Sequence, residues 1–308
     1  MPDPATTIEP SSREVLRRLE LEVTLRLDGL LHGNHKGLVP GHGSEQGETR
    51  RYAPGDDVRR IDWNVTARLP DTYIRQTIAE RELHTWLVVD GSARLRFGTT
   101  RREKRDLVLA GAAAISYLTN RDGNRLGAML VGPDETTVIP PGGSRRHQLR
   151  VLHQINDMDA ADRSGVTDLA SNLSRLAAMT KRRGLVVVIS DFLVSPGWAE
   201  PFSILARRNN MLAIQISDPR DSELPNVGLI TVVDPATGQF REVATHKKKV
   251  REGFADAAKK RQSELEATLR TARADHLVLS TDRDWLDDLV HFVLKRRNRL
   301  TNTAGAHK

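Results

Sequence analysis

Cysteine is absent from all 308 residues, which removes disulfide frameworks, thiolate metal sites and cysteine nucleophiles together. That absence fixes no compartment. Aromatic side chains are scarce, at 4%, so the core must be built from Leu, Val, Ile and Ala. No stretch reaches the roughly 20 apolar residues of a membrane helix. The longest candidate, LVLAGAAAISYL from Leu107, reads as a buried helix. The opening MPDPATTIEPSSREV lacks the apolar segment of a secretory signal. A cytoplasmic protein without membrane insertion is therefore expected.

Several site motifs are missing too. Gly41, Gly43 and Gly47 have the wrong spacing for a dinucleotide fingerprint, and no phosphate-binding P-loop is found. Ser44 stands in Gly-Ser-Glu-Gln-Gly, which is not a nucleophile elbow. His32, His35 and His42 lie in a glycine-rich loop without a zinc motif, and read as solvated. No catalytic residue is assigned, and a non-enzymatic protein is expected.

Charge is plentiful and of both signs. Lys and Arg number 47 against 40 Asp and Glu, a net charge of +7 that favours acidic partners. The basic residues are interspersed with acids, however. The runs Lys247–Lys249 and Lys295–Arg297 fall at the start and end of expected helices and read as solvated faces.

From Trp86 onward, apolar runs alternate with helical patterns. WLVVD, LGAMLV, GLVVVIS, MLAIQIS and HLVLS read as strands, with TTVIP a short partner of LGAMLV and Glu103–Leu118 a helix. Strands apolar throughout and separated by helices imply a sheet covered on both faces. The fold class is therefore α/β, doubly wound and mostly parallel. A helix opening near Asp168 would pack Leu169, Leu173, Leu176 and Ala177 on the sheet. LITVVDPATGQFREV reads as a hairpin before a long charged helix from about Lys247. Three regions are expected: an N-terminal segment over 1–80, the α/β domain over 81–300 and a disordered tail over 301–308. Leu19–Leu27 alternates like a strand yet has helix-favouring residues, and stays ambiguous.

Two constellations carry chemistry. In open α/β sheets ligands gather beyond the carboxyl ends of strands, where strand order reverses. Asp90 ends WLVVD and Asp191 follows GLVVVIS. If those strands are neighbours, Asp90 and Asp191 meet there, and Ser92 and Thr167 add hydroxyls to an all-oxygen set suited to Mg²⁺. Arg94 is the obstacle, because guanidinium has no acceptor and cannot ligate a cation. Either Arg94 supplies the charge that a metal would bring, or it points to solvent and leaves a weakened metal site. A plainer alternative makes Thr167 the cap of the helix at Asp168 and the aspartates turn formers.

The second constellation is RRYAPGDDVRRIDWN and its flanks, from Arg50 to Arg68, with five arginines against three aspartates. Pro54-Gly55 marks a turn, Asp56 or Asp57 would cap a short helix through Val58 and Ile61, and Tyr52 and Trp63 would anchor it. Arg51, Tyr52, Asp56, Asp57, Arg59, Asp62 and Trp63, together with Arg94, make a candidate partner-binding set. A self-satisfied ion-pair cluster pinning the N-terminal segment is the structural alternative. The aspartates count against nucleic acid.

The run GHGSEQGETRRYAPGDDVRRIDWNVTARLPDTYIRQ, followed by VVDGSARLRFG, GNRLGAML, VTDLA, VVVISDFL and SDPRDSELPNVG, resembles the bacterial family called domain of unknown function 58, from about Leu16 to Leu294. The resemblance implies a von Willebrand factor A-type domain behind a family-specific N-terminal segment. It also implies a MoxR-type AAA+ ATPase as partner, other von Willebrand factor A proteins as further ones, and a role in assembling or maturing protein complexes. Asp90, Ser92, Thr167 and Asp191 match that domain's metal-ion-dependent adhesion site, and Arg94 stands where a third hydroxyl is expected. The site is therefore degenerate. A metal-dependent hydrolase using Asp90, Asp191 and Asp62, and nucleic-acid binding through Arg50–Arg68, are the alternative functions.

Overall fold

The computed structural model describes residues 49–53, 56–58, 61–75, 84–121, 124–158, 165–194, 197–234 and 237–305. The ambiguous Leu19–Leu27, the three histidines, Ser44, the Pro54-Gly55 turn and Arg59 lie outside them.

The N-terminal part pairs β1 (Thr49–Arg51) with β2 (Tyr73–Arg75) in antiparallel register, and carries the short α1 (Trp63–Thr66) between them. Of the expected helix through Val58 and Ile61, residues 59 and 60 lie outside the described ones; Val58 is in a 3-10 turn whose carbonyl accepts from the Ile61 amide. Ile61 bridges to Ile74, and Asp56 instead accepts a hydrogen bond from the amide of Ala53 in a turn. Asp62 is the true cap: one side-chain oxygen accepts from the amides of Asn64 and Val65. It satisfies amides that the helix itself cannot. Trp63 is correspondingly no anchor. As the first helical residue it is 68% exposed, while Ile74, at 4%, fills the interior.

The main sheet holds six strands. They are β3 (His84–Asp90), β4 (Arg125–Val131), β5 (Thr136–Gly142), β6 (Gly184–Ser190), β7 (Asn210–Ser217) and β10 (Asp275–Ser280). Their spatial order is β10-β7-β6-β3-β4-β5, parallel except for β5, which runs antiparallel at the edge and contains Pro140 and Pro141. After β3 the chain winds one way through α2 (Lys104–Arg121) to β4. After β6 it winds the other way through α5 (Ala199–Ala206) to β7. The reversal therefore falls between β3 and β6, the topological switch point of a doubly wound sheet.

Alternation within each strand feeds two cores. Leu87, Val89, Val187 and Ile189 face α2, α3 (Arg145–Asp157) and α7 (Trp285–Gly305). Trp86, Val88, Val186 and Val188 face α4 (Leu169–Met179), α5 and α6 (Lys248–Thr271). Leu169, Leu173 and Leu176 are buried along α4, and Ala177 packs beside them. Gly184 lets the two central strands approach: a Cβ there would lie 2.0 Å from the carbonyl oxygen of His84. The hairpin of β8 (Leu229–Val233) and β9 (Phe240–Ala244) forms a separate two-stranded sheet.

Two expectations for the C-terminal end change. Arg296 is not on a solvated face: it is 8% exposed, and its Nε lies 2.8 Å from Asp275. The tail expected to be disordered from 301 continues α7 to Gly305, because nothing between Trp285 and Gly305 breaks a helix.

Candidate functional site at the carboxyl end of the sheet

β3 and β6 pair from His84↔Gly184 to Val89↔Ile189, which brings Asp90 and Ser190 side by side at the carboxyl rim. Asp90 is 2% exposed and is held by a full set of donors. Its Oδ1 accepts from the Ser92 amide at 3.0 Å and the Thr167 hydroxyl at 2.9 Å, and its Oδ2 accepts from the Ser190 hydroxyl at 2.7 Å. Burial, followed by the charge of Asp191, pushes its carboxyl above the ordinary carboxylate range, against the pull of the Ser190 and Thr167 hydroxyls. Thr167 is therefore not the helix cap. Asp168 fills that place, accepting from the Ser171 amide, and Thr167 is free to face the crevice.

Asp191 reaches the same crevice by a strained route. Phe192 adopts φ 54°, a left-handed conformation rare for a residue with a bulky side chain. Its amide donates to Ser190 Oγ, and the next amide, of Leu193, donates to Asp191 Oδ1 at 2.9 Å. The Phe192 ring is fixed by Trp198, with centroids 5.2 Å apart, and Trp198 by Phe202 at 5.6 Å. An aromatic stack outside the crevice thus holds the turn that aims Asp191 inward.

The other carboxylate oxygen of Asp191 meets cations. Arg94 Nε lies 3.5 Å from Oδ2, and Lys104 Nζ lies 3.6 Å from the same atom. Lys104 is 1% exposed, and its ammonium is 2.8 Å from both oxygens of Asp221. The Phe97 ring lies beneath it, at 5.8 Å. Burial raises the Asp221 carboxyl above its ordinary range, and the charge and hydrogen bond of Lys104 offset part of that rise. Asp221 also closes a capping box, accepting from the Asp218 amide at 2.8 Å. Asp218 in turn accepts from the hydroxyls of Thr99 at 2.7 Å and Thr281 at 2.6 Å, tying the loop after β3 to the ends of β7 and β10.

The structure therefore brings Asp90, Ser92, Arg94, Thr167 and Asp191 together. The sequence reading missed Ser190, Lys104 and Asp221. Lys104 had a signal: at helical spacing it shares a stripe with Leu107, Val108 and Ile115, all buried. Of the partner-binding set, Asp62 caps α1, Arg51 pairs with Asp71 at 2.8 Å on the surface, Asp57 and Trp63 are exposed, and Arg59 lies outside the described residues.

This donor set does not suit the Mg²⁺ implied by the resemblance. A hard divalent ion needs protein oxygens with lone pairs turned toward it and no competing cation, water completing its shell. Here two side-chain cations already contact Asp191, and Thr167 and Ser190 donate their protons to Asp90. Ser92 Oγ and Asp191 Oδ2 are buried with no hydrogen-bond partner. Among the described residues no group of three or more His, Cys, Asp or Glu is placed to hold a metal ion. No described helix is long and apolar enough to cross a membrane.

The family described as "Protein of unknown function DUF58" matches residues 48–264. The uncharacterized protein Rv1480 of Mycobacterium tuberculosis (strain ATCC 25618 / H37Rv) is 48% identical over 289 residues, 94% of this chain and 91% of the relative. An uncharacterized protein of Mycobacterium avium is 38% identical over 161 residues, 52% of this chain and 95% of the relative. Among solved structures, an aerotolerance-related membrane protein from Bacteroides fragilis is similar over 70% of this chain and 99% of its own, with a TM-score of 0.43 and 9% identity. The SpRpn10 VWA domain is similar over 68% of this chain and 94% of its own, with a TM-score of 0.37 and 12% identity. With its doubly wound sheet and the motif segment from Thr49 to Arg75 preceding it in sequence, the chain belongs to the DUF58 family.

Proposed function

We propose that this chain is a non-enzymatic interaction protein of the cytoplasm, acting as an adaptor for a MoxR-type AAA+ ATPase in the assembly or maturation of protein complexes. The observation that carries the reading is the composition of the sheet's carboxyl rim. Its charged groups are matched to one another, while apolar side chains around them stand in solvent. Phe97 is 43% exposed, Val166 47% and Leu193 37%, each within a few residues of a crevice residue. Exposed apolar groups beside a desolvated polar centre are the usual make-up of a protein-binding surface. The ATPase assignment rests on the family resemblance. With no nucleotide-binding motif in the chain, that partner would supply the energy for remodelling.

The test is co-purification with the host's MoxR-type ATPase while ATP hydrolysis is blocked. Association is expected for the unaltered chain and a loss of at least about tenfold in affinity for Leu193→Asp, which places a charge in the apolar rim. Recovery of no AAA+ ATPase would remove the partner. Undiminished binding by Leu193→Asp would move the docking surface elsewhere.

A further inference from the structure

The crevice keeps the oxygen atoms of a metal site but not its vacancy. Two unit charges reach it from different segments. Arg94 comes from the short 3-10 turn after β3 (Ala93–Arg96), and Lys104 from the first turn of α2. Both contact the single oxygen Asp191 Oδ2, at 3.5 and 3.6 Å. Together they carry the charge of one divalent ion, shared between Asp191 and Asp221. The atoms left without partners fit this exchange. Ser92 Oγ and Asp191 Oδ2 are buried oxygens that accept no hydrogen bond, and Arg94 Nε and Nη2 are buried without a hydrogen-bond acceptor.

We propose that Arg94 and Lys104 jointly replace a divalent cation, so that whatever docks at the crevice does so without metal. The two are not equivalent. Arg94 has a side chain 17% exposed and can swing outward, whereas the Lys104 side chain is 2% exposed and fixed by Asp221. Removing Arg94 alone leaves an ammonium beside Asp191. A divalent ion placed there would meet a like charge at close range, in surroundings that screen it poorly. The site opens to metal only when both are gone.

This inference deepens the interaction reading, and its test needs no partner. Mn²⁺ binding is read from the loss of the free-ion electron paramagnetic resonance signal, with the unaltered chain, Arg94→Ser, Lys104→Met and the double variant. The expected result is no saturable binding by the first three and saturable binding by the double variant, in which Asp90, Ser92, Thr167 and Asp191 face no side-chain cation. Saturable binding by the unaltered chain overturns the proposal. Binding gained by Arg94→Ser alone overturns the part given to Lys104. Absence of binding by a double variant whose near-ultraviolet dichroism is native overturns the claim that a metal site underlies the crevice. A failed ATPase association with these metal results intact would overturn only the partner.

Discussion

Two ion pairs of equal length differ widely in their exposure to water. Arg51 and Asp71 meet at 2.8 Å on the N-terminal hairpin, with side chains 72% and 42% exposed. Lys104 and Asp221 meet at 2.8 Å under the carboxyl rim, with side chains 2% and 22% exposed. Water competes for the first pair and salt screens it, so its formation costs and gains little. The second was stripped of water when the domain folded, and each partner depends on the other remaining. The same residue types thus make a decorated surface in one place and a structural centre in the other.

The largest effect should come from breaking the buried pair. Lys104→Met leaves Asp221 and Asp191 short of a cation, and a loss of about 3–5 kcal/mol in urea unfolding is expected. A loss under about 1 kcal/mol would erase the distinction between the two regions.

A middle-sized effect concerns acid. Burial raises the Asp218 carboxyl, but the hydroxyls of Thr281 and Thr99 and the amides of Arg220 and Thr99 outweigh it, and the net shift is downward from 3.8. A carboxylate so depressed contributes stability above its unfolded value, and the contribution is lost as pH falls from 3.8 through the folded value. Asp90 and Asp221, raised from 3.8, act in the opposite sense, their contribution fading as pH rises through their folded values. Asp218→Asn should therefore flatten the fall of melting temperature on acidification. An unchanged slope would mean that Asp218 is not the group responsible.

The smallest effect belongs to the exposed pair. Arg51→Ala should leave the denaturation midpoint unchanged at moderate salt, and a clear downward shift would show that the hairpin is held by its charges.

Much of this contrast could be read from the sequence where hydrophobic pattern alone decides the structure. GLVVVIS and MLAIQIS are apolar at nearly every position because both faces of the sheet are covered, and such runs have few alternatives. Asp90, Asp191, Ser92 and Thr167 could be placed because strand ends and a switch point confine them. Lys104 was obscured by its neighbours: RREKRDLV looks like a solvated helix start, and only the three-dimensional position of Asp221, 117 residues away, explains a lysine facing inward. In the motif segment the bridge between Ile61 and Ile74 is a contact between distant positions that local preference does not announce.

The edge strand β5 limits how this domain can be joined to others. Pro140 and Pro141 stand consecutively in it, and neither carries an amide proton. A strand arriving from outside would find acceptors there but a gap in the donors it must pair with, so sheet-to-sheet fusion on that flank is discouraged. Copies at high concentration are kept from zipping together along that flank, which leaves β10 as the sheet edge with an unbroken row of amides.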